Sequence, residues 1–339
     1  MNGLILEIGI TTLKRLKNNL LIVGYGSIGK KYSQSATQFF NKRQIHIFSK
    51  HLRKNNYEKF RGMKDLNYII LSNRANERIK SFKSLLKKGA TYIFEKPISS
   101  KAFSNIQRKK LLNIIKINKI KIKTGYCLRL NPAVEKLKKI LKKKYNKIVS
   151  VNMNTRTYLP SWRDSDYRKS VSAKKKYGGG VINELSHELD LMLHLFGKPK
   201  AVLAKYFNSK SLEIDTEDIA DIIFILNNNI YLNMHLDFCS LSEKREIEIL
   251  FSDNSKISLD LRSNLIKTKN YNKTVMKKYL LDKNYYTKNQ IKKMISISNS
   301  NKNDKWMPEF LDSLHVLEII EKIRESNFTN KLVQLNKNA

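Results

Sequence analysis

The stretch that decides the fold is LLIVGYGSIGK, residues 20–30. Its first four residues are apolar and contain no turn former, which is typical of a strand buried on both faces. Gly24, Gly26 and Gly29 follow with the Gly-x-Gly-x-x-Gly spacing, and this spacing predicts a turn that holds the pyrophosphate of a dinucleotide. A helical pattern over 30–40 comes next, so the N–H groups at the start of a helix would face the anion. A glycine-rich turn without a ligand is the alternative interpretation.

The length and charge of the chain limit its possible functions. It has 339 residues, enough for about two domains, and 66 Lys and Arg against 29 Asp and Glu make a formal net charge of +37. Such a charge favours polyanionic partners, and a polyanion-binding protein is therefore one rival hypothesis. However, lysine is spread along the whole chain and no RNA- or DNA-binding motif is present, so we expect no specific nucleic acid. A positive field attracts anionic substrates and dinucleotides equally well.

The cysteines and the apolar segments indicate the compartment. Cys127 and Cys239 are the only cysteines and lack the spacing of metal ligands, which favours a reduced, cytoplasmic setting. The first 18 residues are apolar in places but Glu7 interrupts them, so we interpret 1–18 as an extension rather than a signal peptide. No segment approaches the length needed to span a membrane, and no membrane partner is expected.

The pattern of elements predicts two domains. Strand patterns at 44–49, 67–71, 91–94 and 119–124 alternate with helical patterns, which predicts a doubly wound parallel sheet of the Rossmann type over 19–125. A helix at 133–144 and strands at 148–157, 201–207, 219–226, 230–237, 246–251 and 256–260 follow. These predict an α+β domain over 126–339 with a mostly antiparallel open sheet. Residues 262–305 show no clear pattern, and a helix at 309–326 and a short strand at 332–335 close the chain.

Residues after the first four strands are the expected cofactor contacts. In this fold the end of the second strand meets the adenosine ribose, where an acid would bind the 2′-hydroxyl. Ser49 and Lys50 stand there instead, and a hydroxyl beside basic groups suits a 2′-phosphate, so NADP is favoured over NAD. Pro97 ends the fourth strand and places Lys96 at its carboxyl end. The expected cofactor residues are Gly24, Gly26, Ser27, Ile28, Gly29, Ser49, Lys50, Ser72, Asn73, Glu95 and Lys96.

Two further stretches carry candidate chemistry. Residues 158–168 concentrate Tyr158, Trp162, Arg163 and Tyr167, which are suited to stacking on sugar rings and bonding hydroxyls, although an ordered surface loop is the alternative. The second is GGGVINELSHELD at 178–190, predicted as a helix that runs to Gly197.

On that helix His187 has acids at helical spacing. Asn183 and Glu184 precede it by four and three residues and Asp190 follows by three, an arrangement that suits a general base oriented by a carboxylate. An ordinary polar helix face is the alternative. Zinc binding through His187, His194 and the neighbouring acids is conceivable, but no established metal spacing is present, so no metal is expected.

Taken together, these segments resemble the Gfo/Idh/MocA family (glucose–fructose oxidoreductase, inositol dehydrogenase and rhizopine catabolism). The matching pieces are GYGSIG at 24–29, EKP at 95–97, GYCLR at 125–129, YLPSWR at 158–163 and the triple glycine with SHELD at 186–190. The resemblance implies a Rossmann domain and a second domain whose open sheet often forms a dimer interface. It also implies NAD(P)-dependent oxidation or reduction at a carbon of a sugar, cyclitol or sugar nucleotide, by a homodimer or homotetramer.

The resemblance also implies residue roles. Lys96 takes the place of the lysine that contacts substrate and cofactor, and His187 that of the acid/base. The family has an Asp shortly before that histidine; here Glu184 or Asn183 stands there, and Glu184 is favoured because it keeps the charge. The expected substrate contacts are Arg129, Tyr158, Trp162, Arg163, Tyr167 and Asn183. A non-catalytic NAD(P)-binding or regulatory protein of the same fold is the main rival.

Overall fold

Two β-sheets organise the chain in the computed structural model, which describes residues 18–49, 57–299 and 307–335. The predicted N-terminal extension, except for its last residue, and the expected cofactor residue Lys50 lie outside the described residues. No helix in the described ranges is long and apolar enough to cross a bilayer.

The first sheet is parallel and has five strands. They are β1 (Asn19–Val23), β2 (Ile45–Phe48), β3 (Leu66–Leu71), β4 (Thr91–Phe94) and β5 (Lys121–Thr124), in the order β2-β1-β3-β4-β5. Helices α1 (Ser27–Ala36), α2 (Tyr57–Arg61), α3 (Ala75–Ser84) and α4 (Asn105–Ile117) connect them. The strand order changes direction between β1 and β3, and ligands of such sheets bind outside the strand ends at this point.

Both faces of this sheet are buried, as the apolar run at its first strand predicts. Leu21 and Val23 point into one apolar cluster and Leu20 and Ile22 into another, and none of the four is more than 1% exposed. Strand side chains alternate between faces, so an uninterrupted apolar strand needs a covering layer on each side.

The second sheet has nine strands. In chain order they are β6 (Ile148–Tyr158), β7 (Ala201–Phe207), β8 (Ile219–Ile225), β9 (Tyr231–Asp237), β10 (Cys239–Phe251), β11 (Lys256–Asp260), β12 (Leu265–Lys269), β13 (Thr274–Lys278) and β14 (Val333–Gln334). All their pairings are antiparallel except β6 with β9. Helices α5 (Pro132–Lys144), α6 (Val181–Glu184), α7 (Ser186–Phe196) and α9 (Phe310–Thr329) belong to the same half of the chain.

One face of the second sheet is buried and the other is open. Strand β8 alternates buried and exposed residues along its length, as expected for a sheet covered on one face. On the open face Tyr231 and Phe207 are each 53% exposed. The predicted fold class, a doubly wound parallel sheet followed by a mostly antiparallel open sheet, is therefore confirmed.

The stretch that showed no sequence pattern adds two strands to the second sheet and a covering helix to the first. It contains β12, β13 and a helix, α8 (Tyr285–Asn299), that packs on α1. The Ser35 and Thr287 hydroxyls are 2.6 Å apart across this contact, and Ile291 belongs to the same apolar cluster as Leu20. A helix late in the chain thus covers the first sheet.

The segment after the triple glycine is two helices rather than the one that was predicted. Leu185, with φ −91° and ψ 24°, separates α6 from α7. The two parts are anchored to different partners: the Val181 N–H donates to the Glu217 carbonyl at 3.1 Å, whereas α7 is held through Asp190, described below. Glu184 and His187 consequently stand on different helices.

Candidate active site

A cleft of about 1170 Å³ opens at the carboxyl ends of β1, β3 and β4 and extends to the second sheet's helices. Twelve of the predicted site residues line it, namely Gly24, Gly26, Ser27, Ile28, Ser49, Ser72, Asn73, Glu95, Lys96, Arg163, Glu184 and His187. The predicted residues that lie outside its lining are Gly29, Arg129, Tyr158, Trp162, Tyr167 and Asn183. Residues from both halves of the chain therefore meet here.

In the glycine turn, packing within the protein requires glycine at some positions but not at all of them. Gly24 has φ +93°, and a Cβ there would lie 2.6 Å from the Asn73 nitrogen. A Cβ on Gly29 would lie 2.2 Å from the Gly24 carbonyl oxygen, which also accepts a 2.9 Å hydrogen bond from Ser72 Oγ. A Cβ on Gly26, in contrast, would meet no described atom within 4 Å. The chain's own packing does not explain Gly26, so the free space above it is available to a ligand.

Glu95, at the end of β4, is held from several sides. It is 7% exposed, its Oε1 accepts a 2.6 Å hydrogen bond from the Tyr32 hydroxyl, and its Oε2 accepts one from the Lys96 N–H at 3.2 Å. A Cβ at Gly125 would lie 2.6 Å from Oε1, so glycine there leaves room for the carboxylate. Burial, followed by the charge of Glu95, raises the pKa of Tyr32 well above its ordinary value, which keeps the phenol protonated as the donor.

Gln290 completes this buried chain of hydrogen bonds. Tyr32 Oη lies 2.9 Å from Gln290 Oε1, but its single proton is already donated to Glu95. Turning the Gln290 amide over lets its nitrogen donate to the phenol oxygen, and the same change gives a partner to Nε2, which is otherwise buried without one among the described residues. The network ties α8 to the end of β4.

Lys96 reaches across the cleft to the other half of the chain. Its ammonium donates to the Glu184 backbone carbonyl at 2.7 Å and lies 3.6 Å from the Glu184 carboxylate. The two side chains are 16% and 18% exposed, so the charges are partly shielded from water but remain accessible from the cleft. Glu184 therefore pairs with Lys96.

His187 stands at the start of α7 beside Tyr126. The two rings meet edge to face with centroids 5.6 Å apart. Burial, followed by the charges of Lys96 and Arg245, lowers the pKa of His187 well below its ordinary value. The imidazole is therefore neutral at neutral pH and able to accept a proton. Its Nδ1 is buried without a hydrogen-bond partner in the described part of the chain.

Neither candidate for the acid position hydrogen-bonds His187 in the described ranges. Glu184 is directed to Lys96. The Asn183 amide donates to the carbonyls of Gly178 and Gly179 at 3.1 and 3.3 Å, and its oxygen accepts from Arg324 at 3.2 Å. Asn183 thus stabilises the glycine turn that precedes α6.

Arg129 forms a buried ion pair away from the cleft. Its Nε and Nη2 donate to the two Asp190 oxygens at 2.8 and 2.6 Å, and Arg129 is 5% exposed. Burial raises the pKa of Asp190 to about 6 although Arg129 opposes the shift. This bidentate pair fixes α7 against the turn that follows β5.

The aromatic loop contributes less to the cleft than its composition predicts. Trp162 Nε1 donates to Thr157 Oγ1 at 2.6 Å and its ring packs edge-on against Phe238. The Tyr167 hydroxyl accepts from the Glu213 N–H at 3.3 Å. Arg163 lines the cleft, together with Lys169, which was not predicted.

Several cleft residues were missed from the sequence. Tyr285, Tyr286 and Thr287 line the cleft from α8. Arg74 and Tyr177 line it as well, with the Arg74 guanidinium 4.2 Å from the centroid of the Tyr177 ring. The Lys- and Asn-rich composition around α8 carried no signal of a binding site.

The metal hypothesis has no support from the described residues. No group of three His, Cys, Asp or Glu side chains within them is placed to hold a metal ion. His194 instead lies against Lys138, with Nζ 3.0 Å from Nδ1.

Comparisons with known proteins agree with the fold. Residues 134–255 match the family model described as the GFO/IDH/MocA C-terminal domain. The structure is similar to levoglucosan dehydrogenase in complex with NADH, with a TM-score of 0.78 and 14% identity over 94% of this chain and 99% of that chain. It is also similar to UDP-N-acetylglucosamine 3-dehydrogenase from Acidithiobacillus ferrooxidans (TM-score 0.72, 13% identity, 92% and 98% covered). A super-repressor mutant of Gal80p from Saccharomyces cerevisiae has a TM-score of 0.76 at 14% identity, with 94% and 97% covered.

No curated protein matches by sequence. The matches to the family model and to solved structures confirm the resemblance drawn from the motifs.

Proposed function

We propose that this chain, which has the Gfo/Idh/MocA fold and that family's C-terminal domain, is an NAD(P)-dependent oxidoreductase acting on a carbon of a sugar, cyclitol or sugar nucleotide. One observation carries the proposal: a glycine turn with unfilled space above Gly26 shares a single cleft with Lys96 and His187. Relatives of the same fold include a dehydrogenase bound to NADH.

The cleft residues fit a dinucleotide. The first N–H groups of α1, at Ser27 and Ile28, would bind the pyrophosphate together with the backbone at Gly26. Ser72 and Asn73 form the neighbouring wall, and Ser49 stands at the ribose end. The absence of an acid at 49–50 favours NADP. When bound, the nicotinamide supplies the hydride acceptor or donor.

His187 and Lys96 would act on the reacting oxygen. Because His187 is neutral, it can take the proton of the substrate hydroxyl during oxidation and return it during reduction. The Lys96 ammonium would stabilise negative charge that develops on the same oxygen. Glu184, which pairs with Lys96, would hold that ammonium in place.

The test is a search for sugar-dependent change in the absorbance of reduced nicotinamide. His187→Ala should lose about 10²–10⁴-fold in turnover, the usual worth of general acid–base help. Lys96→Ala should lose turnover while it still binds dinucleotide. Lys101→Ala, at an exposed lysine of the same loop, is the matched control and should leave turnover unchanged. Unchanged turnover in both site variants would refute the assignment. Mass spectrometry of co-purified ligand would identify the sugar.

A non-catalytic regulatory protein of the same fold is the second candidate. It is favoured by the buried His187 Nδ1 without a partner among the described residues and by the likeness to the Gal80p super-repressor. Tight dinucleotide binding without turnover on a broad panel of sugars, cyclitols and sugar nucleotides would support this candidate.

We also propose a homodimer or homotetramer in the cytoplasm, assembled through the open sheet face. Leu203, Phe207, Ile223 and Tyr231 lie 38–53% exposed on neighbouring strands of the second sheet. Apolar groups concentrated on one face are typical of an association surface. Ile223→Lys should therefore lower the sedimentation coefficient, and an unchanged value would argue against this face.

A further inference from the structure

Arg78 is a buried cation that the proposed chemistry does not use. It belongs to α3, is 3% exposed, and is one of the residues that line the cleft. Its Nη1 donates to the Glu95 carbonyl at 2.6 Å and also to the Pro97 carbonyl, and its Nη2 donates to the Asn73 carbonyl. Three backbone carbonyls thus converge on one guanidinium.

The three carbonyls belong to segments on both sides of Lys96 and beside the glycine turn. Glu95 and Pro97 are the two neighbours of Lys96, so Arg78 fixes the main chain on both sides of that lysine. Asn73 follows β3, and its backbone lies against Gly24 of the glycine turn. Arg78 therefore joins the wall of the cofactor turn to the backbone that carries Lys96.

The guanidinium suits this task in shape and charge. It presents five N–H donors in a rigid planar fork, whereas a lysine ammonium is a compact point charge on a flexible stem. Burial lowers the pKa of Arg78 to about 10 and nearby Glu95 opposes the shift, so the group is still charged at neutral pH.

We propose that Arg78 is a positioning residue for Lys96. By holding the carbonyls on both sides, it sets the direction in which the lysine side chain leaves the backbone. The ammonium then meets the Glu184 carbonyl, 88 residues away in sequence, at 2.7 Å inside the cleft. The kinetic part of this inference rests on the proposed function, whereas its structural part does not.

Crystal structures and dinucleotide titrations of Arg78→Lys and Arg78→Met test the structural part without any substrate. Arg78→Lys keeps the charge but not the fork, and Arg78→Met keeps the approximate length without any donor. We expect the Lys96 contact with the Glu184 carbonyl to be lost in both, while the NADPH dissociation constant of Arg78→Lys, measured by fluorescence, changes less than about threefold. Retention of that contact in Arg78→Lys would overturn the proposal even if the protein proved inactive on every sugar. If Arg78→Met does not fold, Arg78→Lys decides alone.

A double-mutant cycle with Lys96→Met tests the kinetic part. If Arg78 acts through Lys96, Arg78→Lys should lower kcat about tenfold in the native background but less than about twofold when Lys96 is already absent. Equal losses in the two backgrounds would show that Arg78 serves only the fold and would overturn the proposal. Arg61→Lys is the matched control, because exposed Arg61 also donates to a backbone carbonyl, that of Ser84, and should leave kcat unchanged in both backgrounds. Absence of turnover in the native protein would instead count against the proposed function.

Discussion

Alanine substitutions in the glycine turn should have different effects, because Gly26 and Gly29 differ in what surrounds them. A methyl group at Gly26 meets no described atom within 4 Å, and the residue has φ −76° and ψ −165°, which alanine adopts freely. A methyl group at Gly29 would lie 2.2 Å from the Gly24 carbonyl oxygen, and only main-chain movement can relieve that contact. The two substitutions should therefore separate ligand binding from folding.

The magnitudes follow from these surroundings. For Gly26→Ala the reduced freedom of the unfolded chain stabilises by about 0.4–1 kcal/mol, and the poorer helix N-cap costs about 1 kcal/mol. The free energy of unfolding should thus change by less than about 1 kcal/mol. For Gly29→Ala we expect a loss of about 3 kcal/mol, at the upper end of the cost of overpacking. The methyl group at Gly26 would occupy the approach path of the pyrophosphate and weaken dinucleotide binding about 100-fold, or roughly 2.7 kcal/mol.

Urea unfolding and NADPH fluorescence titration of the two variants measure these quantities. Gly62→Ala is the control, since its methyl group would be 3.8 Å from the nearest atom, the Glu58 carbonyl oxygen; it should leave dinucleotide binding unchanged and change the free energy of unfolding by no more than about 1 kcal/mol. A folded Gly26→Ala protein that binds dinucleotide as tightly as the native chain would refute the reasoning. A fully stable Gly29→Ala protein would refute the packing argument.

Two further predictions concern buried charge. Burial lowers the pKa of His194 to about 2. Below about pH 6.5 the His194 side chain therefore binds a proton in the unfolded protein but stays neutral in the folded protein. As pH falls below this value, the folded protein loses stability. In His194→Gln, the free energy of unfolding measured by urea titration should depend less steeply on pH. Below about pH 6 the slope should fall by up to about 1.4 kcal/mol per pH unit, and an unchanged slope would contradict this prediction. Asp190→Asn removes the bidentate partner of buried Arg129 and leaves it only the Asp312 carboxylate at 3.6 Å, so the change should cost up to about 3–5 kcal/mol in the same assay. A loss below about 1 kcal/mol would show that the pair is not needed to hold α7.

Several features that depend on neighbours in sequence were predicted correctly. The bounds of β4, β7 and β11 agree with the expected ranges. The glycine turn and the placement of Lys96 at a strand end also follow from local rules, because side-chain periodicity and the freedom of Gly and Pro act over a few residues. The order of elements then limited the topology to a doubly wound sheet followed by an open one.

Side-chain partners were decided by the tertiary structure alone. Arg129 and Asn183 have the chemistry of substrate ligands, yet they bond Asp190 and Arg324, which are 61 and 141 residues distant. Tyr32 and Gln290 lie 258 residues apart and meet beneath the cleft. Local sequence carries the periodicity that forms a helix or strand, but the partner of a buried polar group is whichever donor or acceptor packing brings within about 3 Å. For this reason the sequence determined most of the elements and the glycine turn, whereas only the folded chain decided which charged residues are free to face the cleft.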